Sequence, residues 1–156
     1  NFLFDVDGTL TPHRQPMTND FKHFFMKMLR DKGEDEKVFL VTGSDKEKTI
    51  EQVGHAIWHS VDGSYQNCGN QLYIDGQLMK QSEWELCGGL EQSVKNQIRK
   101  SVWNGTAGTN IEKRIGMANM TTIGRECTQE QRDYYYEWDQ QWKEREYIVE
   151  CIKKGW

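Results

Sequence analysis

The 156-residue sequence predicts an α/β core followed by a smaller α+β module. Two short apolar runs near the start each end in a loop rich in acidic or hydroxyl residues. Each of these runs is followed by a segment with helical periodicity, and this strand–helix order is typical of a doubly wound sheet. After about residue 62, hairpin signals alternate with helices. We therefore predict a core-domain part at 1–65 and a second domain at 66–156.

The first half contains two strand–helix pairs. The apolar run at 1–6 predicts a buried strand that ends in a loop. A helix is expected at 18–32, because a threonine can cap its start, apolar residues share one face and a glycine follows it. A second buried strand is expected at 38–41, and Ser44 or Asp45 can cap the next helix.

The second half alternates hairpins with helices. An Asp-Gly pair in the middle of residues 71–80 is typical of a two-residue β-hairpin turn. A helix is expected at 90–103, and two short strands at 109–114 and 117–122. One long helix is expected at 128–153, where a threonine and a glutamine three residues apart fit a capping box.

The bulk composition excludes some classes of function. Hydrophobic residues make up 36% of the chain and charged residues 28%, with a net charge of -4 and no dense basic tract. That balance argues against a nucleic-acid partner, and no apolar run is long enough to cross a membrane. The four cysteines form no CxxC pair. We interpret them as reduced thiols and predict a cytoplasmic protein.

The strongest chemical signal is the motif Asp5-Val6-Asp7-Gly8-Thr9, directly after an apolar run. A carboxylate at the end of a strand can attack phosphorus and form an aspartyl-phosphate. A second carboxylate two residues later can transfer a proton, and two neighbouring negative charges favour a divalent cation, here Mg²⁺. The alternative is an ordinary acidic turn. This motif after an apolar strand is specific to the haloacid-dehalogenase superfamily.

A second signal is Thr42-Gly43-Ser44-Asp45, which follows the second predicted strand. The superfamily places a serine or threonine here to hydrogen-bond the phosphoryl group that is transferred. Hydroxyl groups and free amides at a helix N-terminus suit an anion. An ordinary turn with an N-cap is the alternative interpretation.

Further motifs, in order along nearly the whole chain, resemble the eukaryotic-type phosphomannomutases. The similar segments are 3–15, 43–54, 69–78, 108–119 and 123–132. The resemblance implies a haloacid-dehalogenase-like (Rossmann-like) core with an inserted α+β cap. It also implies interconversion of mannose 6-phosphate and mannose 1-phosphate through an aspartyl-phosphate, for GDP-mannose synthesis.

The resemblance implies roles for particular residues. Asp5 would be the nucleophile and a Mg²⁺ ligand, and Asp7 the general acid/base, with its backbone carbonyl also near the metal. Arg14 and Arg114 match arginines that hold the sugar phosphate, a task that suits a guanidinium group. Arg125 would serve the structure or a second anion contact. The resemblance further implies a hexose 1,6-bisphosphate activator, a hexose phosphate substrate and a homodimer formed through the cap.

The sequence departs from the family at several positions. Ala107 stands where the family has an arginine that contacts substrate, and Asn67-Cys68 stands where it tends to have Glu-Asn. Thr42 is closer to phosphatases of the same superfamily. A sugar-phosphate phosphatase and a non-catalytic remnant therefore remain as alternatives.

The sequence also ends before the segment with which the family returns to its core. That segment brings a lysine and an acidic loop that complete the metal site. We expect a chain that is truncated at its C-terminus, with its N-terminus also trimmed. We expect this fragment to be inactive alone, to fold poorly, and to carry the Asp5 strand at an edge of the sheet.

Overall fold

The computed structural model describes residues 1–104 and 107–155. The chain divides into two compact units, Asn1–Glu83 and Trp84–Trp156. The first unit contains a five-stranded sheet and the second a two-stranded sheet. None of the helices in the described residues is long and apolar enough to span a membrane.

The first unit is an α/β structure, as the sequence predicted. Its strands follow the order β1-β2-β3-β4-β5 across the sheet, with β1, β2 and β3 parallel and β4 and β5 antiparallel. As expected, the strand that carries Asp5 lies at one edge. The elements are β1 (Phe2–Asp5), α1 (Asn19–Asp31), β2 (Val38–Val41), α2 (Lys46–Val53), α3 (His55–Ser60), β3 (Gly63–Gln66), β4 (Gln71–Ile74) and β5 (Gln77–Gln81).

A hydrophobic core joins the sheet of the first unit to its helices. Phe25 and Leu29 on α1 pack in one cluster with Val38 and Leu40 of β2. The remaining buried members are Val6, Leu10, Met17, Val53, Ile57 and Val61. This burial is the main stabilising term for the unit, and it packs α1 against β2.

The hairpin at residues 71–81 belongs to the first sheet, because β4 pairs antiparallel with β3. The two compact units therefore divide at 83/84, whereas the sequence placed the domain boundary at 65/66. The predicted Asp-Gly turn is confirmed. Asp75 and Gly76 have φ of 49° and 74°, the left-handed pair that a two-residue turn requires.

The second unit is an α+β structure. Its elements are α4 (Gly88–Ile98), β6 (Ile111–Arg114), β7 (Met117–Met120), α5 (Gln129–Trp142) and α6 (Glu144–Lys154). The capping box is confirmed, since Thr128 Oγ1 accepts from the Gln131 N–H and the Gln131 side chain accepts from the Thr128 N–H.

The prediction of one long helix at the C-terminal end was wrong. The helix breaks at Lys143, which has φ of 55°. The buried Asp139 carboxylate accepts hydrogen bonds from Arg145 N at 2.9 Å and Arg145 Nε at 2.6 Å. Burial raises the pKa of Asp139, but these hydrogen bonds outweigh it and leave the pKa below its usual value. This contact supplies the start of a new helix.

Aromatic rings build the small core of the second unit. The Trp103 ring lies edge-on to Tyr135 and Trp138, with both centroid distances 5.7 Å. Ile123 and Cys127 complete the buried cluster. Such edge-to-face pairs add to the stability that burial alone provides.

Candidate active site

The structure brings Asp5 and Thr42 to the same edge of the first sheet, namely the edge formed by the carboxyl ends of its parallel strands. β1 and β2 are parallel, and Asp5 is the register partner of Val41, the residue before Thr42. The carboxyl ends of parallel strands meet at one edge, where open α/β sheets bind their ligands. The Asp5 side chain is exposed, and Thr9 Oγ1 donates a 3.2 Å hydrogen bond to Asp5 Oδ2. The sheet therefore presents a carboxylate to solvent.

A single buried carbonyl group holds the loop after Asp5. The Val6 carbonyl oxygen accepts from the backbone N–H groups of Thr9, Leu10 and Thr11, at 3.3, 3.0 and 3.0 Å. Gly8 has φ of 79°, and its N–H donates to the Thr11 carbonyl at 2.8 Å. The glycine permits a turn that other residues adopt only with strain. The position of Asp7 is thus set by the main chain.

The Asp7 carboxylate is held from two directions. Its Oδ1 accepts hydrogen bonds from Arg14 N and from Gln52 Nε2, each at 2.7 Å. Burial raises the pKa of Asp7, but these two bonds and the nearby charges of His13 and Arg14 outweigh it, so the pKa lies below its ordinary value. Asp7 is therefore ionised at neutral pH and able to accept a proton.

Gln52 is a positioning residue that sequence reasoning missed. It lies on α2, is 1% exposed, and its Nε2 also lies 3.3 Å from Thr11 Oγ1. Its backbone carbonyl accepts from Met17 N at 2.8 Å. The sequence feature that could have revealed this role is a polar amide side chain on the apolar face of a predicted helix, next to Val53. This amide ties the helix to the loop that carries Asp7.

Thr42 and Ser44 form the turn between β2 and α2. The Thr42 N–H continues the pairing with β3 by donating to Tyr65 O at 3.0 Å, and Thr42 Oγ1 accepts from Ser44 N at 3.1 Å. Asp45 caps α2 by accepting from Lys48 N at 2.8 Å. Of the two N-cap candidates in the sequence, Ser44 and Asp45, the structure therefore uses Asp45. Both predicted hydroxyl residues therefore lie at the edge that carries Asp5.

The segment after β3 also lies at this edge. Asn67, Cys68 and Gly69 have φ of 51°, 57° and 85°, three left-handed residues in a row. Cys68 N donates to Thr42 O at 3.1 Å, so the exposed thiol of Cys68 lies beside the Thr42–Ser44 turn. Sequence reasoning noted this pair only as a departure from a family pattern.

The three predicted arginines are divided between the units. Arg14 lies in the first unit, where its N–H contacts Asp7. Arg114 ends β6 in the second unit. Arg125, in the same unit, forms an ion pair in which its Nη2 lies 3.0 Å from Glu112 Oε2. Glu112 therefore offsets part of the positive charge of Arg125.

The acidic residues at the edge suit Mg²⁺ better than a transition metal. In the part of the chain that the structure describes, no three His, Cys, Asp or Glu side chains cluster as a metal site. Mg²⁺ usually takes only one or two protein carboxylates and keeps several waters. The exposed carboxylate of Asp5 fits that demand.

Comparisons with known proteins give one consistent family. Residues 22–156 match a model of the eukaryotic phosphomannomutase family. The phosphomannomutase of Drosophila melanogaster is 35% identical over 97% of this chain and 61% of its own length, and mouse phosphomannomutase 1 is 34% identical over 97% and 59%. The chain thus spans about three fifths of the length of these relatives. A solved structure of Aspergillus fumigatus trehalose-6-phosphate phosphatase covers 99% of this chain and 54% of its own, with 19% identity and a TM-score of 0.45.

Proposed function

Because the chain belongs to the eukaryotic phosphomannomutase family, we propose that it interconverts mannose 6-phosphate and mannose 1-phosphate for GDP-mannose synthesis. The observation that carries the proposal is the exposed Asp5 carboxylate at the end of a parallel strand, beside a fixed Asp7. Phosphoryl transfer through an aspartate requires a nucleophilic carboxylate and a nearby group that transfers protons.

In the proposed reaction, Asp5 carries a phosphoryl group as an acyl phosphate at the start of each cycle. A hydroxyl of the hexose monophosphate attacks that phosphorus, the bond from phosphorus to Asp5 breaks, and Asp7, ionised at neutral pH, accepts the hydroxyl proton. The hexose 1,6-bisphosphate that results turns so that its other phosphate faces Asp5. An Asp5 carboxylate oxygen then attacks this second phosphorus, the bond from phosphorus to the sugar oxygen breaks, and Asp7 gives that oxygen the proton it accepted in the first step.

Charged and hydroxyl side chains of each unit bind the substrate in this proposal. Thr42 and Ser44 donate hydrogen bonds to the phosphoryl group that is transferred, and Arg14 adds positive charge near Asp7. Arg114 and Arg125 of the second unit hold the phosphate that does not react, since guanidinium groups bind phosphate in a bidentate manner.

The cofactor and the assembly complete the proposal. Asp5 and the backbone carbonyl of Asp7 would hold Mg²⁺, which supplies positive charge against the phosphoryl oxygens when bound. We also place the protein in the cytoplasm, as a homodimer formed through the second unit.

The test uses this chain completed with the C-terminal segment that the family carries, because we expect the chain to be inactive alone. It supplies mannose 1-phosphate with Mg²⁺ and a trace of hexose 1,6-bisphosphate, and it measures hexose 6-phosphate formation. We expect Asp5→Asn to lower the rate about a thousandfold or more, since the nucleophile is lost. We expect the matched change Asp20→Asn, in the exposed first turn of α1, to leave it unchanged.

Mass spectrometry of the trapped protein provides a second readout. We expect a phosphate adduct on the peptide that contains Asp5, and none in the Asp5→Asn variant. An adduct on another residue, or full activity in that variant, would contradict the proposed role. If Asp5→Asn changes none of the measured properties, the result would favour the interpretation that the chain is a non-catalytic remnant.

A sugar-phosphate phosphatase is the second candidate. It is favoured by Ala107, which stands at a family arginine position, and by the ion pair of Arg125 with Glu112. Both features weaken the hold on a second phosphate, and water could then attack the acyl phosphate instead of a sugar. Release of inorganic phosphate from mannose 1-phosphate, without hexose 6-phosphate, would identify this activity.

A further inference from the structure

Two histidines lie side by side on the surface of the first unit, on a helix that the proposed reaction does not use. His55 and His59 are one helical turn apart on α3, and both are exposed. Their ring centroids are 6.4 Å apart, and the ring planes differ by 13°. Within residues 1–104 and 107–155, neither imidazole forms a hydrogen bond or an ion pair. The ring nitrogens are therefore available to a ligand.

The spacing and residue type favour one class of ligand. Side chains at positions i and i+4 project from the same face of a helix, and two histidines at this spacing can bind one metal ion. Neutral imidazole is a preferred ligand of Zn²⁺, Ni²⁺ and Cu²⁺, whereas Mg²⁺ prefers oxygen. We propose that His55 and His59 chelate a divalent transition-metal ion, with water completing the coordination.

The surroundings of His59 leave one of its ring nitrogens more open than the other. A Cβ atom built on Gly76 would lie 3.2 Å from His59 Nδ1 and 3.3 Å from Cε1, so the β4–β5 turn lies against that edge of the ring. Nε2 is farther from this Cβ position than Nδ1 and Cε1 are, and we take it as the nitrogen that binds the metal.

The rest of α3 fixes the two histidines relative to each other. Ile57 and Trp58, between them in sequence, are 1% and 2% exposed and anchor the helix to the unit. A metal bound by both ends of this six-residue helix links its two turns. Because the metal binds the folded helix and not a random chain, it also raises the melting temperature.

The proposal is tested on the whole chain, in which Cys68 and Cys87, the two exposed cysteines, are changed to serine to remove competing thiols. Calorimetric titration with Cu²⁺, Zn²⁺ and Ni²⁺ is expected to give one site, with Cu²⁺ the tightest. We expect His55→Ala and His59→Ala each to weaken binding about tenfold or more, since the chelate effect is lost. We expect His23→Ala, a single exposed histidine on α1, to have no effect.

Nuclear magnetic resonance locates the site independently of affinity. We expect Cu²⁺ to broaden the backbone signals of α3 and of the β4–β5 turn first. The proposal is overturned if the single variants bind Cu²⁺ as tightly as the unchanged histidine pair. It is equally overturned if the broadening centres on another part of the chain, such as His13 beside Asp7.

Discussion

The two units hold their candidate substrate-contacting residues in different ways. The first unit fixes Asp5, Asp7 and Thr42 by strand pairing and main-chain hydrogen bonds above a hydrophobic core. The second unit has a two-stranded sheet, which is marginal by itself, and a small core of aromatic rings. The comparison teaches that the reacting groups are placed by the main chain together with the buried Gln52 side chain. In the second unit, Arg125 N donates to Thr109 O at 2.9 Å, but the guanidinium group of Arg125 is oriented by an ion pair with the Glu112 side chain.

Each unit has a carboxyl group with a strongly lowered pKa, so the two units differ less in this respect than in their hydrophobic cores. Asp62 in the first unit and Glu91 in the second both have a pKa of about 2. Burial raises the pKa of Asp62, but a hydrogen bond from Lys32 and others outweigh it. Hydrogen bonds from Lys113 and Lys95 lower that of Glu91. In each unit, a carboxylate with a lowered pKa therefore links separate segments of the chain.

The largest expected effect on stability comes from the core of the first unit. Leu40 on β2 is fully buried, so we expect Leu40→Ala to lower the free energy of unfolding by about 3–4 kcal/mol. Hydrogen exchange should show the loss of protection in β1 to β3 and not in the second unit. Val102→Ala, at a position 79% exposed, is the control and should change nothing. An equal loss of protection in both units would show that they unfold together.

The next largest effect on stability is expected from substitution of a glycine, and we compare one glycine in each unit. A Cβ atom on Gly124 would lie 1.7 Å from the Ala107 carbonyl oxygen, whereas one on Gly8 would meet no atom within 4 Å. Both have positive φ, 87° and 79°. We expect Gly124→Ala to lower the free energy of unfolding by about 2–3 kcal/mol and Gly8→Ala by about 1 kcal/mol. Urea unfolding of both variants measures the difference, and equal losses would contradict the close approach in the second unit.

A smaller effect is expected from the acid titration of Asp62. Its pKa is lower in the folded protein than in the unfolded chain, so its contribution is present above about pH 4 and is lost as the pH falls towards 2. We expect Asp62→Asn to lower the free energy of unfolding at pH 6 by about 1–2 kcal/mol. Urea unfolding at pH 6 and pH 2.5 should show the difference from the unchanged protein shrink at the lower pH. A difference that stays constant with pH would rule out the ion pairs with Lys32 and Lys37 as its source.

The smallest expected effect is a gain in stability in the second unit. Lys143 adopts φ of 55°, a conformation that glycine adopts without strain. We expect Lys143→Gly to raise the free energy of unfolding by about 0.5–1 kcal/mol. Lys27→Gly, at an exposed position inside α1 of the first unit, should instead lower it by about 1 kcal/mol. Thermal melting of both variants is the measurement, and a loss of stability in both would show that residue 143 does not need a left-handed backbone.

Local patterns in the sequence predicted the elements that depend on neighbours in the chain. The Asp5–Thr9 motif, the Asp-Gly hairpin turn and the capping box at Thr128 all involve residues within a few positions of each other. The sheet to which the hairpin belongs depends on pairing between β3 and β4, which no local pattern encodes. The helix break at Lys143 depends on the Asp139–Arg145 contact, and the role of Gln52 depends on a loop 45 residues earlier in the chain.

The hydrogen bonds of Asp7 make its two carboxylate oxygens chemically different. Oδ1 already accepts from Arg14 N and Gln52 Nε2, while Oδ2 accepts no hydrogen bond from the residues that the structure describes. A proton on Oδ1 would displace one of those donors, and a proton on Oδ2 displaces none. The stereochemistry of proton exchange is thus fixed in advance, because a single lone-pair direction, set by helix and loop together, is available to any incoming hydroxyl.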